Sequence, residues 1–112
     1  MNDGVAIEIV ELDGELELSR KQEIRDAFSL RDGARGVLVD LAGVTYADST
    51  ALTELLRFCM AAQREKVPID VVIRTRQFAR LVQYAGLASA FQIFDEREEA
   101  LAYLNKQVEG RE

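Results

Sequence analysis

The sequence predicts an α/β domain: a mixed, largely parallel sheet of about four or five strands with about four helices, in the order β-β-α-β-α-β-α-β-α. Two observations carry the prediction. Val37–Leu41 and Ile69–Ile73 are short apolar runs, each with a single aspartate, Asp40 or Asp70. Such runs suit strands buried on both faces. Between them, Ala51, Leu52, Leu55, Leu56 and Cys59 recur at helical spacing. A strand, a helix and a strand in succession imply a crossover onto a parallel sheet. The whole of 1–112 reads as one domain with a single core.

The elements follow in order. Residues 5–12 are rich in β-branched side chains and read as a strand, with Glu8 and Glu11 as polar interruptions. Asp13-Gly14 is a tight-turn signal, and Glu15–Leu18 alternates strictly, so the second arm of an antiparallel hairpin is predicted. Its open edge would permit self-association into a homodimer. Ser19 reads as the N-cap of a helix running to about Leu30, with Ile24, Ala27 and Phe28 inward and Gly33 as its stop. The central strand and helix come next, the helix fading near Arg64–Lys66 before Pro68, the one proline. After the strand Ile69–Ile73, whose charge is placed at the strand entrance, Thr75 caps a helix carrying Phe78, Leu81, Val82 and Ala85 and stopped near Gly86. Phe91–Phe94 is a last strand. Asp95 caps a last helix with Ala100, Leu101, Leu104 and Val108 inward, and residues 109–112 read as a frayed tail.

Composition narrows the function. There is no histidine and one cysteine, so histidine base catalysis, a thiolate cluster and an internal disulfide are excluded. The glycines are scattered, without a phosphate-cradling loop, and the acidic residues Asp95, Glu96, Glu98 and Glu99 read as a solvated helix start. Neither a catalytic site, a metal site nor a cofactor is expected. The formal net charge of −6 argues against nucleic-acid binding and suits a basic protein partner. No apolar run has the ~20 residues of a membrane span and no leader pattern opens the chain, so a cytoplasmic protein without direct membrane insertion is expected.

The candidate site is Asp48-Ser49-Thr50, at the start of the central helix. Spacing alone leaves each residue open: Ser49 as cap or phosphoacceptor, Thr50 as cap or second acceptor, Asp48 as cap or as the group that orients the serine loop. Cys59 lies on the apolar face and reads as core, and Arg74, Arg76 and Arg80 as a solvated basic cluster.

Three stretches carry a likeness that spacing alone does not. They are Gly14-Glu15-Leu16-Glu17, then Val37–Leu41 with Tyr46-Ala47-Asp48-Ser49-Thr50-Ala51-Leu52, and Phe78–Leu87. Over nearly its whole length the chain resembles the STAS family, named for sulphate transporters and anti-sigma factor antagonists. In the antagonists, the serine after the aspartate is phosphorylated by a partner kinase that is itself an anti-sigma factor. The resemblance implies Ser49 as the phosphoacceptor. It also implies a partner surface of Asp48, Ser49, Thr50, Ala51, Thr53 and Glu17, a serine kinase/anti-sigma factor and a phosphatase as partners, and no catalysis by the chain itself. Ala51 and Thr53 stand where the family usually has glycine, and Glu17 where it usually has aspartate. Those departures give weight to an alternative: a stand-alone STAS subunit docking on the cytoplasmic ATPase of a membrane lipid transporter, without a phospho-switch.

Overall fold

The structure is a computed structural model that describes residues 7–87 and 91–110. Its elements are β1 (Ile7–Leu16), a 3₁₀ turn (Leu18–Arg20), α1 (Lys21–Ala27), β2 (Gly36–Ala47), α2 (Ser49–Arg64), β3 (Ile69–Ile73), α3 (Arg76–Tyr84), β4 (Ile93–Phe94) and α4 (Arg97–Glu109). The described strands form one sheet in the order β1-β2-β3-β4, and every neighbouring pair is parallel. This is the expected α/β class, with one correction to its first elements.

The predicted antiparallel hairpin is absent. Asp13 and Gly14 lie inside β1, which runs beside β2 for its full ten residues. Gly14 does adopt the left-handed conformation that the Asp-Gly pair announces, with φ of +77°. It spends that freedom on a bulge, because β2 is twelve residues long and offers Gly43–Ala47 as a partner for Asp13–Leu16. The register shifts between Glu11 and Asp13 and again between Gly14 and Glu15. Arg20 fastens the bulge: its Nη1 donates to the carbonyls of Asp13 at 2.7 Å and Glu15 at 2.9 Å. Its Nε and Nη2 bind Glu23 at 2.9 and 2.8 Å. The outer edge of β1 pairs with no described strand and carries Glu8, Glu11, Asp13 and Glu15.

One face of the sheet packs α1, α2 and α3 through Val10, Leu16, Ile24, Val39, Leu41, Leu55, Phe58, Phe78 and Val82. Phe28 and Phe58 stack there, with ring centroids 5.6 Å apart. The other face packs α4 against Leu38 and Val72 through Ala100 and Leu104. Gly36 admits that helix: a Cβ there would stand 2.9 Å from Val108 Cγ2.

Several local expectations shift. The first helix begins after a 3₁₀ turn and ends at Ala27, and the side chain capping that turn is Glu17, not Ser19. Leu56 is exposed, while Phe58 and Ala62 fill its anticipated place in the core. Thr75 is the N-cap of α3 but makes no side-chain cap bond, and the N-cap of α4 is Glu96, not Asp95. Asp70 is the second residue of β3, near the strand entrance, yet it is buried, 1 % exposed. By alternation with Val72 it faces α4. The start of the predicted first strand at residues 5–6 and the tail at 111–112 lie outside the described residues, and the tail's Glu109 belongs to α4.

Candidate functional site

β2 outruns β3. Its ladder with β3 ends at the pair Leu41 and Ile73, and the strand continues to Ala47 alongside β1. The ladder with β1 is prolonged by one bond, the Asp48 N–H donating to the Leu16 carbonyl at 3.0 Å. Asp48 is extended, with φ of −104° and ψ of −168°, and its carboxylate accepts the Thr50 N–H at 2.8 Å. Its carbonyl accepts the Leu52 N–H at 3.2 Å. Asp48 is thus the cap of α2, the reading that spacing left open.

Ser49 is consequently not needed as a cap. It is the first residue of α2, it is exposed, and none of the described residues hydrogen-bonds its hydroxyl. The N–H groups of a sixteen-residue helix start beneath it. Thr50 is half-buried, and Thr53 is exposed one turn further along. Ala51 is 0 % exposed: its methyl faces the core, so this side chain lies outside any surface a partner touches. The departures from the family pattern that reach the surface are therefore Thr53 and, in part, Glu17.

Glu17 closes the other side. Its carboxylate accepts the Ser19 N–H at 3.1 Å and the Ser19 hydroxyl. The Ser19 hydroxyl, then the Ser19 N–H, hold this carboxyl below its ordinary range, while the negative charge of Asp48 acts in the opposite direction.

A depression of about 200 Å³ runs from Ser49, Thr50 and Thr53 to Leu18, Lys21, Glu54 and Arg57. Leu18 is 67 % exposed at its rim. Glu54, by contrast, is buried, with Oε1 3.3 Å from Arg57 Nε. Sequence reasoning missed these neighbours. Part of the signal was present: Ser49, Thr53 and Arg57 are spaced four apart on one helical face. Leu18 and Lys21 come from another element, and no spacing announces them. Among the described residues no cluster of metal-ligating side chains occurs, and no helix is long and apolar enough to cross a membrane.

Residues 5–94 match the family described as Mlab, STAS domain. Solved structures share the fold at low sequence identity. An anti-sigma factor antagonist from Mycobacterium paratuberculosis superposes with a TM-score of 0.74 at 22 % identity, over 93 % of this chain and 90 % of that one. A sulfate transporter family protein from Wolinella succinogenes superposes with a TM-score of 0.77 at 18 % identity, over 92 % and 88 % of the two chains. No curated protein gives a significant match.

Proposed function

We propose that this chain, which belongs to the STAS domain family, is a regulatory protein-binding module of the anti-sigma factor antagonist type, switched by phosphorylation of Ser49. The whole chain acts as one module, without catalysis of its own, in the cytoplasm with a serine kinase/anti-sigma factor and an opposing phosphatase. The observation that carries the reading is the exposed Ser49 hydroxyl, unengaged by the described residues, on a helix start that Asp48 already caps.

The chemistry supports the reading. Phosphorylation brings about −1.5 to −2 charges and three acceptor oxygens. The helix start carries roughly half a positive charge and accommodates them without refolding, at a gain of about 0.3–1 kcal/mol. What changes is the outer surface. Asp48 adjoins Ser49, and Glu17 is near enough to Asp48 to feel its charge, so a partner covering the loop would desolvate the phosphate together with one or both carboxylates. Like charges brought together at an interface cost several kcal/mol. The unmodified form binds and the phosphorylated form lets go. Docking engages Leu18, Ser49 and Thr53 over the depression they rim.

A second reading has one observation in its favour, the sulfate transporter family neighbour. There the same surface docks on the cytoplasmic ATPase of a membrane transporter and Ser49 stays unmodified.

The experiment is intact mass and phosphosite mapping of the protein from its own cells, with Ser49→Ala in parallel and partner co-purification from both. Phosphate on Ser49, lost in the variant, with a kinase-like partner, is the expected result. An unmodified protein under every growth condition, co-purifying with a transporter ATPase, would replace the first reading by the second.

A further inference from the structure

The overhang of β2 beyond Leu41 has no described strand on its β3 flank. Side chains of the α3 start stand in for one. The Thr75 hydroxyl donates to the Val44 carbonyl. The Gln77 carboxamide then takes both backbone groups of Ala47: Oε1 accepts its N–H at 3.2 Å, and Nε2 donates to its carbonyl at 2.7 Å. A single side chain thus closes the pair of bonds that a neighbouring strand would supply.

Ala47 is the last residue of the sheet and is 0 % exposed. Asp48, the cap, and Ser49 follow it directly. We propose that Gln77 is the positioning residue for Ser49, making α3 part of the switch. The proposal rests on Ser49 being the phosphoacceptor.

The physical reason is the cost of unmet polar groups. Without the carboxamide, the N–H and carbonyl of Ala47 lose their fixed partner, and water or a shifted chain must satisfy them instead. Asp48 and Ser49, being the next residues, move with it. Phosphoryl transfer needs the acceptor oxygen held in line, and a displacement of about 1 Å can cost on the order of a hundredfold in rate. Core packing gives no other account of this side chain, since Gln77 lies on the exposed side of α3 while Phe78 and Val82 face the core.

The discriminating substitution is Gln77→Glu. It preserves size and still accepts from the Ala47 N–H, but it turns a second acceptor toward the Ala47 carbonyl. Gln77→Ala removes both bonds without that repulsion and serves if the glutamate variant fails to fold. Ile24→Val, in the buried face of α1, is the control for general destabilisation. Amide hydrogen exchange by NMR on the full chain, read at Ala47, Asp48 and Thr50, is expected to quicken about tenfold or more in the Gln77 variants relative to their global stability. In Ile24→Val it tracks global stability only. Ser49 phosphate in cells falls in the Gln77 variants and holds in the control. Exchange in the Gln77 variants that matches the control, or changed exchange with undiminished Ser49 phosphate, overturns the proposal. A wild-type protein without phosphate overturns the function proposed above, while the exchange data still decide whether Gln77 holds the loop.

Discussion

Asp70 makes stability fall as pH rises through the weakly acidic range, and Asp70→Asn should abolish that fall. The carboxyl is 1 % exposed on β3 and faces the layer of α4. Its Oδ1 accepts only a long bond, from the Gln92 N–H at 3.4 Å. Its Oδ2 has no hydrogen-bond partner among the described residues. Burial pushes this carboxyl up from 3.8 to about 6, against a small opposing pull from the Gln92 bond. The folded state therefore holds the proton more tightly than the unfolded chain. The stabilisation is fully present below about pH 4 and is lost as pH rises through about 6. At about 1.4 kcal/mol per pH unit, the loss is on the order of 3 kcal/mol. Glu17 and Glu23, held low by their hydrogen bonds, act with opposite sign below about pH 4.5, but identically in both proteins, so they cancel in the difference. The assay is urea unfolding followed by far-ultraviolet circular dichroism from pH 4.5 to 7.5, on wild type and Asp70→Asn. The amide costs about 1–3 kcal/mol if its new N–H stays unpaired, so the decisive quantity is the slope and not the offset. A wild-type-minus-variant difference that stays constant across the range would refute the reasoning.

Two further expectations follow from packing. Ala51→Gly restores the family's residue at a core-facing position in the first turn of α2. It should lower stability by about 0.5–1 kcal/mol in chemical unfolding and leave partner affinity unchanged, whereas a tenfold gain in affinity would show that a partner reaches the backbone there. Cys59 is 1 % exposed and burial pushes its thiol up to about 12. At pH 8 a thiol-specific reagent should label it only as fast as the protein opens, with urea accelerating the reaction, and prompt labelling of the native protein would contradict its place in the core.

What the sequence disclosed, and what it withheld, follow the reach of each signal. Val37–Leu41, Ile69–Ile73 and the periodic face of α2 are continuous or regularly repeated apolar patterns, and the structure places them as strand, strand and helix. Asp13-Gly14 was misread because a turn signal reports local backbone, while reversal depends on the partner waiting beyond. The continuation of β2 through Gly43 and Thr45 supplied that partner, and its interrupted apolarity hid it. Glu54 is charged yet buried, and its spacing from Ala51 and Phe58 is what places it inward. The choice between Asp48 and Ser49 as cap needed backbone angles. The part played by Gln77 had no signal at all, since its bonds span thirty residues of sequence.

The acidic outer edge of β1 has a consequence for the protein's neighbours in a crowded solution. A ten-residue strand whose outer edge meets no described strand is a template onto which another chain's strand can add. Here the backbone shifts register twice, so an incoming straight strand meets it in phase only over short segments. Asp13 and Glu15 add exposed negative charge at the bulge, while Glu8 and Glu11 are paired with Arg31 and Arg97. The outer edge of β1 is thus a poor template for strand addition.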